Sequence, residues 1–263
     1  MEEMVSIIVP VYLAAPYIAE TIEMVEKQTY KNWELILIDD CSPDNSVEII
    51  QKIMDKISGS KLPGERNEEA GIIHLIRKEK NGGAAKARNT GIGQAKGRYI
   101  AFLDADDVWF PDKLEKELAF MKEKNAGFVF TAYEFGDENA KGTGKIVTVP
   151  EQLTYRRALS RTVIFTTTVL FDTQKIPKEL IQMPVVESED TATWWKILRA
   201  GYTAYGLNEV LAVYRRPAKS LSSNKFVAMK RIWHLYRREE KLSLLSSAFC
   251  FCLWAMRATL RRI

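Results

Sequence analysis

Asp104, Asp106 and Asp107 crowd into four residues at the end of the run Arg98-Tyr-Ile-Ala-Phe-Leu103. Carboxylates packed this closely repel one another, and each costs several kcal/mol if buried without a partner. A divalent cation is one solution: hard oxygen ligands suit Mg²⁺ or Mn²⁺, and such ions commonly bridge one or two carboxylates to substrate phosphates. The other solution is structural, with the aspartates capping the helix that follows Pro111, a position where Asp is common. The stretch alone leaves both open.

The apolar residues before these acids are β-formers, so Arg98 to Leu103 reads as a buried strand. Val5 to Tyr12, containing Pro10, reads the same way, as do Trp33 to Ile38, ended by Asp39 and Asp40, and Ile72 to Ile76. Helical spacing separates them: Ile18, Ile22 and Val25, then Val47, Ile50, Ile53, Met54 and Ile57, then the small residues Ala84 to Ala95. Ser58 to Ala70 is a polar surface insertion. Alternating strands and helices predict an α/β layer with a mainly parallel sheet. Ligands gather at the carboxyl ends of such strands, where Tyr12, Asp40 and Asp104 to Asp107 all fall. Further along, the pattern predicts a helix over Leu114 to Lys124, a strand over Phe128 to Tyr133 and a turn-rich loop from Gly136 to Gly144. A helix within Gln152 to Arg161, a β-rich run Val163 to Asp172 and a helix Thr191 to Arg199 follow. Tyr202 to Tyr214 reads as one or two strands with a turn near Gly206 to Asn208.

The chain has 263 residues, 46% hydrophobic and 27% charged, which fits a soluble protein with a sizeable core. Three cysteines, without zinc spacing, point to reduced thiols and a cytosolic setting. The N-terminus runs into a strand with no signal pattern, consistent with the cytoplasm. The net charge of +4 is unevenly spread: from Lys219 onward ten Lys or Arg face two Glu, so the tail is strongly basic and the body slightly acidic. Such a tail has a partner of its own. Between Lys241 and Arg257 lie fifteen uncharged residues, fewer than the roughly 20 a membrane-spanning helix needs. Cations on both sides suit an interfacial helix, with residues 230–263 on an anionic membrane surface; packing on the catalytic body or in a dimer seam is the alternative. No nucleic-acid-reading module is evident.

Four motifs occur in order: Ser6-Ile-Ile-Val-Pro-Val-Tyr12; Ile38-Asp-Asp-Cys-Ser42; Asn81-Gly-Gly with Ala87-Arg-Asn-Thr-Gly91; and Leu103-Asp-Ala-Asp-Asp-Val-Trp109. A fifth, Glu189-Asp190 with Gly201-Tyr202 and Asn208-Glu-Val-Leu-Ala-Val-Tyr-Arg215, follows. Together they resemble the inverting family 2 glycosyltransferases of the GT-A fold over roughly residues 5 to 216, and the tail is similar to that of bacterial enzymes building teichuronic acid, capsular or exopolysaccharide chains. The resemblance implies a Rossmann-like, mixed, mainly parallel sheet flanked by helices. It implies a nucleotide-diphosphate sugar donor, with a UDP-sugar favoured, and a lipid-linked saccharide acceptor. Pro10, Tyr12, Asp40, Arg88 and Asp104 would then contact the donor nucleotide, with Tyr12 covering the base and Asp40 accepting its N–H. Asp106 and Asp104 would hold Mn²⁺ or Mg²⁺ on the diphosphate, with Asp107 structural. Asp190 would be the base that takes the acceptor proton, with Glu189 and Glu187 behind it. Arg215 and Arg216 are candidates for phosphate contact, and Trp194 or Trp195 for the acceptor side.

The chain departs from the family pattern at Leu13, where Asn is frequent, at Cys41, where Gly is common, and at Pro217, where many relatives carry His. The expected division is a catalytic domain over residues 1–218, with a donor half to about residue 110 and an acceptor half beyond it, and a basic amphipathic helical tail over 219–263. The expected setting is the inner face of the cell membrane. A non-catalytic sugar-binding or scaffold protein is the alternative of another class. A sugar nucleotidyltransferase is a further one, although its glycine- and lysine-rich opening motif is absent. Gly91-Ile-Gly93 through Gly97 is not a dinucleotide fingerprint, because it ends a helix and precedes a strand. His74 and His234 have no metal-ligand spacing.

Overall fold

The structure, a computed structural model, describes residues 3–59, 71–216 and 225–260. The apolar run at the N-terminus forms β1 (Val5–Val11), followed by α1 (Ile18–Glu26), β2 (Trp33–Asp39), α2 (Ser46–Gly59), β3 (Ile72–Arg77), α3 (Gly83–Gln94) and β4 (Tyr99–Phe102). β1 and β2 are almost wholly buried because helices cover both faces, which is why they read as continuous apolar runs rather than alternating ones. α3 is built from small residues so that it can lie close on β1: a Cβ at Gly91 would meet the Ile8 side chain at 2.4 Å.

A short β5 (Val108–Trp109) leads to α4 (Lys113–Glu123), β6 (Phe128–Gly136), β7 (Gly142–Val147), β8 (Gln152–Leu153) and the single turn α5 (Tyr155–Ala158). A 3-10 turn, Thr166–Thr168, introduces β9 (Val169–Asp172); α6 (Lys178–Ile181), α7 (Glu189–Arg199) and β10 (Ala204–Arg215) complete the sheet region. The sheet order is β3-β2-β1-β4-β9-β6-β10-β5, with β7 on β6 and β8 on β10. β1 to β4 are mutually parallel, and β6 and β10 run with them; β9, inserted between β4 and β6, runs the other way. The sheet is thus mixed, with its main strands parallel.

Three expectations change. The helix expected within Gln152 to Arg161 is one turn beside a two-residue strand. The Gly136 to Gly144 loop is a tight hairpin in which Asp137 accepts the Asn139 and Lys141 N–H groups at 2.9 Å, and β7 starts at Gly142. Tyr202 to Tyr214 contains no reversing turn: β10 is one strand, irregular between Leu207 and Ala212. The polar stretch expected up to Ala70 begins with the last residues of α2 and otherwise lies outside the described residues, as does Pro217.

The tail is α8 (Lys225–His234), a π-helical turn Leu235–Glu239 and α9 (Leu244–Leu260). The division expected at residue 218 does not separate two cores. Ile232, Leu235 and Tyr236 are buried in the same cluster as β4, β6 and α7, and Tyr236 stacks on Trp195 with ring centroids 5.3 Å apart. Glu240 receives hydrogen bonds from Tyr155 at 2.5 Å and Arg199 at 2.7 Å, fastening the turn between the tail helices to α5 and α7. Among the described residues no helix is long and apolar enough to cross a membrane.

Candidate active site

The carboxyl ends of β1, β2 and β4 open into a cleft of about 660 Å³ lined by Pro10, Tyr12, Tyr17, Asp40, Arg88, Asp104 and Asp106, among others. That volume is within the range of small-molecule sites. Tyr12 stands on the rim, half exposed. The next residue, Leu13, and Cys41 at the end of β2 both have positive φ, 53° and 59°. These are the two positions where the family pattern favours Asn and Gly, the residues most at home in that conformation.

Asp40 is buried at the base of the cleft. Its carboxylate accepts the Gly82 N–H at 3.0 and 3.1 Å and the Gly83 N–H at 2.7 Å, and it pairs with Lys78. Negative charge is favourable at the start of α3, where the first N–H groups have no helical acceptor. Asp40 therefore secures the glycine turn to β2 while presenting its edge to the cleft.

Arg88, on the buried face of α3, reaches Glu189, 101 residues further along the chain. Its Nη2 donates to Asp104 Oδ1 at 2.5 Å and its Nη1 to Glu189 Oε1 at 3.0 Å. Burial opposes its charge, but attraction from Asp104, Glu189 and Asp190 raises its pKa above the ordinary value. Among the described residues its Nε–H has no hydrogen-bond partner.

The three strand-end aspartates have separate surroundings. Asp104 is paired with Arg88. Asp107 is buried; it accepts the Thr167 hydroxyl at 2.5 Å and the Arg215 backbone N–H at 3.2 Å. Burial, then the charges of Asp104 and Asp106, push its pKa well above the carboxylate range. Asp106 is raised as well, by burial and by Asp104, against the weaker pull of Arg215 and Arg88, and among the described residues no ion pair or hydrogen bond from another residue reaches its carboxylate. The capping alternative is not what these acids do: α4 starts after Asp112, six residues past Asp106, without a side-chain cap. Asp104 and Asp106 line one cleft and fit a hard divalent ion that takes its other ligands from water and a bound diphosphate. No group of three or more acidic, His or Cys side chains suited to a metal occurs among the described residues.

At the other end of the Arg88 bridge, Glu189 and Asp190 open α7 after Ser188, whose φ is 60°. Asp190 Oδ1 accepts the Thr191 N–H at 2.6 Å, and Oδ2 a longer bond from Thr166 Oγ1 at 3.4 Å. Burial and the adjacent Asp190 charge raise the Glu189 pKa.

Two sets of expected contacts need correction. Arg215 is no open phosphate ligand: its Nε donates to Asp106 O at 2.6 Å, Nη1 to Glu138 O at 3.3 Å and Nη2 to Glu20 at 2.7 Å, and it lies over the Tyr17 ring. It clips the aspartate turn to α1. Arg216 lies over the Phe135 ring, 5.1 Å from its centroid. Trp194 and Trp195 are 2% and 1% exposed, too buried to offer a face to an acceptor sugar; Trp194 packs on Phe128 and Phe171, Trp195 on Tyr236. Three contributors carry little signal in the sequence. Lys78 stands directly after β3, where a strand-end position was its only signal. Thr166 and Thr167, a hydroxyl run inside an apolar segment, serve Asp190 and Asp107.

The model of the family described as glycosyl transferase family 2 matches residues 6–175, most of the sheet and the cleft. The chain belongs to that family. It is 41% identical over 261 residues to the putative teichuronic acid biosynthesis glycosyltransferase TuaG of Bacillus subtilis, covering 99% of this chain and 98% of that one. It is 36% identical to the Escherichia coli UDP-Glc:alpha-D-GlcNAc-diphosphoundecaprenol beta-1,3-glucosyltransferase WfgD, over 88% of this chain and 84% of that one. Among solved structures, the mannosyltransferase PcManGT of Pyrobaculum calidifontis, in complex with GDP-Man and Mn²⁺, superposes with a TM-score of 0.71 at 18% identity, covering 97% of this chain and 74% of that one. Residues 1–349 of S. aureus TarS with UDP-GlcNAc give 0.67 at 20% identity, over 96% and 71%. This family 2 glycosyltransferase therefore shares its fold with nucleotide-sugar enzymes.

Proposed function

We propose that the protein is a metal-dependent, inverting glycosyltransferase that moves a sugar from a nucleotide-diphosphate donor, a UDP-sugar by preference, to a lipid-linked saccharide. The reading places it in bacterial surface polysaccharide synthesis, at the cytoplasmic face of the membrane. The observation that carries it is the Arg88 bridge, which holds the strand-end carboxylates of the cleft against the Glu189-Asp190 pair at the start of α7. Donor activation and proton removal need groups on opposite sides of one sugar, and the bridge supports that division. The UDP-Glc and undecaprenol-linked substrates in the name of WfgD and the Mn²⁺ in the PcManGT complex favour the donor, acceptor and metal assigned.

Asp104 and Asp106 are the residues that would hold Mn²⁺ or Mg²⁺, which when bound offsets the charge developing on the leaving diphosphate. Tyr12 covers the nucleobase from the rim, and Asp40 fixes the floor against which the base rests. Asp190 Oδ2, the more loosely held oxygen, takes the proton of the acceptor hydroxyl as that oxygen bonds to the anomeric carbon. The bond from that carbon to the donor diphosphate breaks on the opposite face, so the configuration inverts. Glu189, tied to Arg88, orients the start of α7 rather than serving as the base.

The test is transfer from a panel of nucleotide sugars with Mn²⁺, paired with calorimetry of nucleotide binding. Asp190→Asn loses transfer by about 10²–10⁴-fold while keeping nucleotide affinity. Asp106→Asn loses both transfer and the metal-dependent part of nucleotide binding. Unchanged transfer in either variant refutes the mechanism.

A further inference from the structure

The helix α9 has two faces of different fate. Ser247 is buried, Phe251 meets Trp233 edge-on at 5.7 Å, Trp254 Nε1 donates to Thr162 Oγ1 at 3.0 Å, and Arg257 hydrogen-bonds to Ser160. This face is docked on the catalytic body. Leu245, Phe249, Cys252 and Met256 recur at the spacing of one helical stripe on the open side, with Leu245 84% and Phe249 67% exposed. No acidic residue occurs between Leu244 and Leu260.

Cations frame this stripe at both ends. Lys230, Arg238 and Lys241 are exposed ahead of α9, and none of them has an acidic partner among the described residues. Near its far end Arg257 acts on Arg161 of the catalytic body, which also feels Arg157 after β8. Burial and the charges of Arg257 and Arg157 hold the Arg161 guanidinium below its ordinary pKa. Like charges gathered at this end of α9 favour nearby anions.

We infer that the open face of α9, together with Arg157 and Arg161 of the catalytic body, is a docking surface for an anionic lipid monolayer. With 17 residues α9 is about 25 Å long, short of the roughly 30 Å hydrocarbon core, so it lies in the interface with its stripe inward. A second copy of the chain is a poor occupant, because a symmetric contact brings the same cations face to face. Charge complementarity favours phosphate headgroups. The inner face of α9 is fastened to the body, so docking holds the cleft in a fixed relation to the lipid surface, unlike a tether. The inference rests on the proposed function for its membrane setting, but its test needs no sugar.

The test is sedimentation of the full chain with vesicles of phosphatidylglycerol and phosphatidylcholine in equal parts, and with phosphatidylcholine alone. The chain partitions more strongly to the anionic vesicles. The double variant Leu245→Asp with Phe249→Asp, at exposed positions, lowers that partition at least about tenfold with unchanged melting temperature and UDP affinity. Replacing Arg157 and Arg161 by Ala weakens it about fivefold per cation and flattens its salt dependence. Equal partition of the aspartate variant and the unaltered chain overturns the inference. So does equal binding to both vesicle types, or conversion of a soluble dimer to monomer by the aspartates. Loss of sugar transfer in every assay with vesicle binding intact would instead count against the glycosyltransferase mechanism alone.

Discussion

Replacing Arg88 by Met removes the cation from a buried three-member ion pair without leaving a large void. Breaking a buried pair by deleting one partner costs about 3–5 kcal/mol, because the remaining charge is stranded. Here the stranded acids, Asp104 and Glu189, are 25% and 21% exposed, so water recovers part of the loss and the lower end, about 3 kcal/mol, applies. The loss depends on pH. Glu189 already has a raised pKa in the folded protein; the folded state holds its proton longer than the unfolded chain, and this contribution to stability falls as pH rises above the unfolded value. Arg88 works against that rise, so Arg88→Met lifts the folded pKa further and extends the decline to higher pH. The gap between the two proteins in urea melts should therefore narrow toward roughly pH 4, where Glu189 takes up its proton, and be widest near neutrality. An equal stability gap at both pH values refutes an electrostatic role for the bridge and leaves Arg88 as packing.

Cys41→Gly should stabilise the protein by about 0.5–1 kcal/mol, since φ at this position is 59° and relief of left-handed strain outweighs the added freedom of the unfolded chain. Calorimetry should show a melting temperature higher by about 2–4 °C, and a lower one would show that the Cys41 thiol bond to Lys78 O dominates. Lys113 and Glu117 form a pair with both side chains fully buried, in which burial pushes Glu117 up to about 7 and pulls Lys113 down. Glu117 thus binds an extra proton in the folded state between its unfolded pKa and about 7, and its contribution to stability declines across that window. The double variant Lys113→Met with Glu117→Leu should abolish this slope and be neutral or stabilising by about 1–4 kcal/mol in chemical denaturation; a strongly destabilised double variant contradicts the argument.

The first half of the sheet was legible because β1, β2 and β4 are covered on both faces and so carry unbroken apolar runs. β9 was not. Its residues have the same composition as a parallel strand, and nothing local records that Phe171 pairs with Ile100 and Phe128 in the reverse direction. Gly206 misled for a different reason. Its lack of a side chain looks like a turn, but a Cβ there would meet Pro150 O at 2.2 Å, so the glycine admits a neighbouring chain to β10. Asn208, read with it, accepts the Val149 N–H at 3.0 Å. Arg215 looked like a ligand for phosphate because charge alone does not reveal which acceptors reach it. The tail's basic count was visible, whereas Tyr236 filling the space beside Trp195 is a long-range contact that no composition records.

The fates of the strand-end aspartates show why identical side chains at adjacent positions support different chemistry. Burial, and then the charges of Asp104 and Asp106, raise the Asp107 pKa, against the pull of the hydrogen bonds from Thr167 and the Arg215 N–H. Asp104 is paired with Arg88. The third acid is Asp106, whose backbone carbonyl is pinned by Arg215 while its carboxylate has no donor from another residue among those described. Under the proposed mechanism, an acid held in place by its main chain, with a pKa raised by burial and by Asp104, would be the one to gain most from a divalent cation. Arg215 therefore acts on the site through its contacts within the protein. Its three anchors on Asp106, Glu138 and Glu20 set where the unpaired carboxylate stands, and Lys in its place, with a single ammonium, can reproduce only part of that fork.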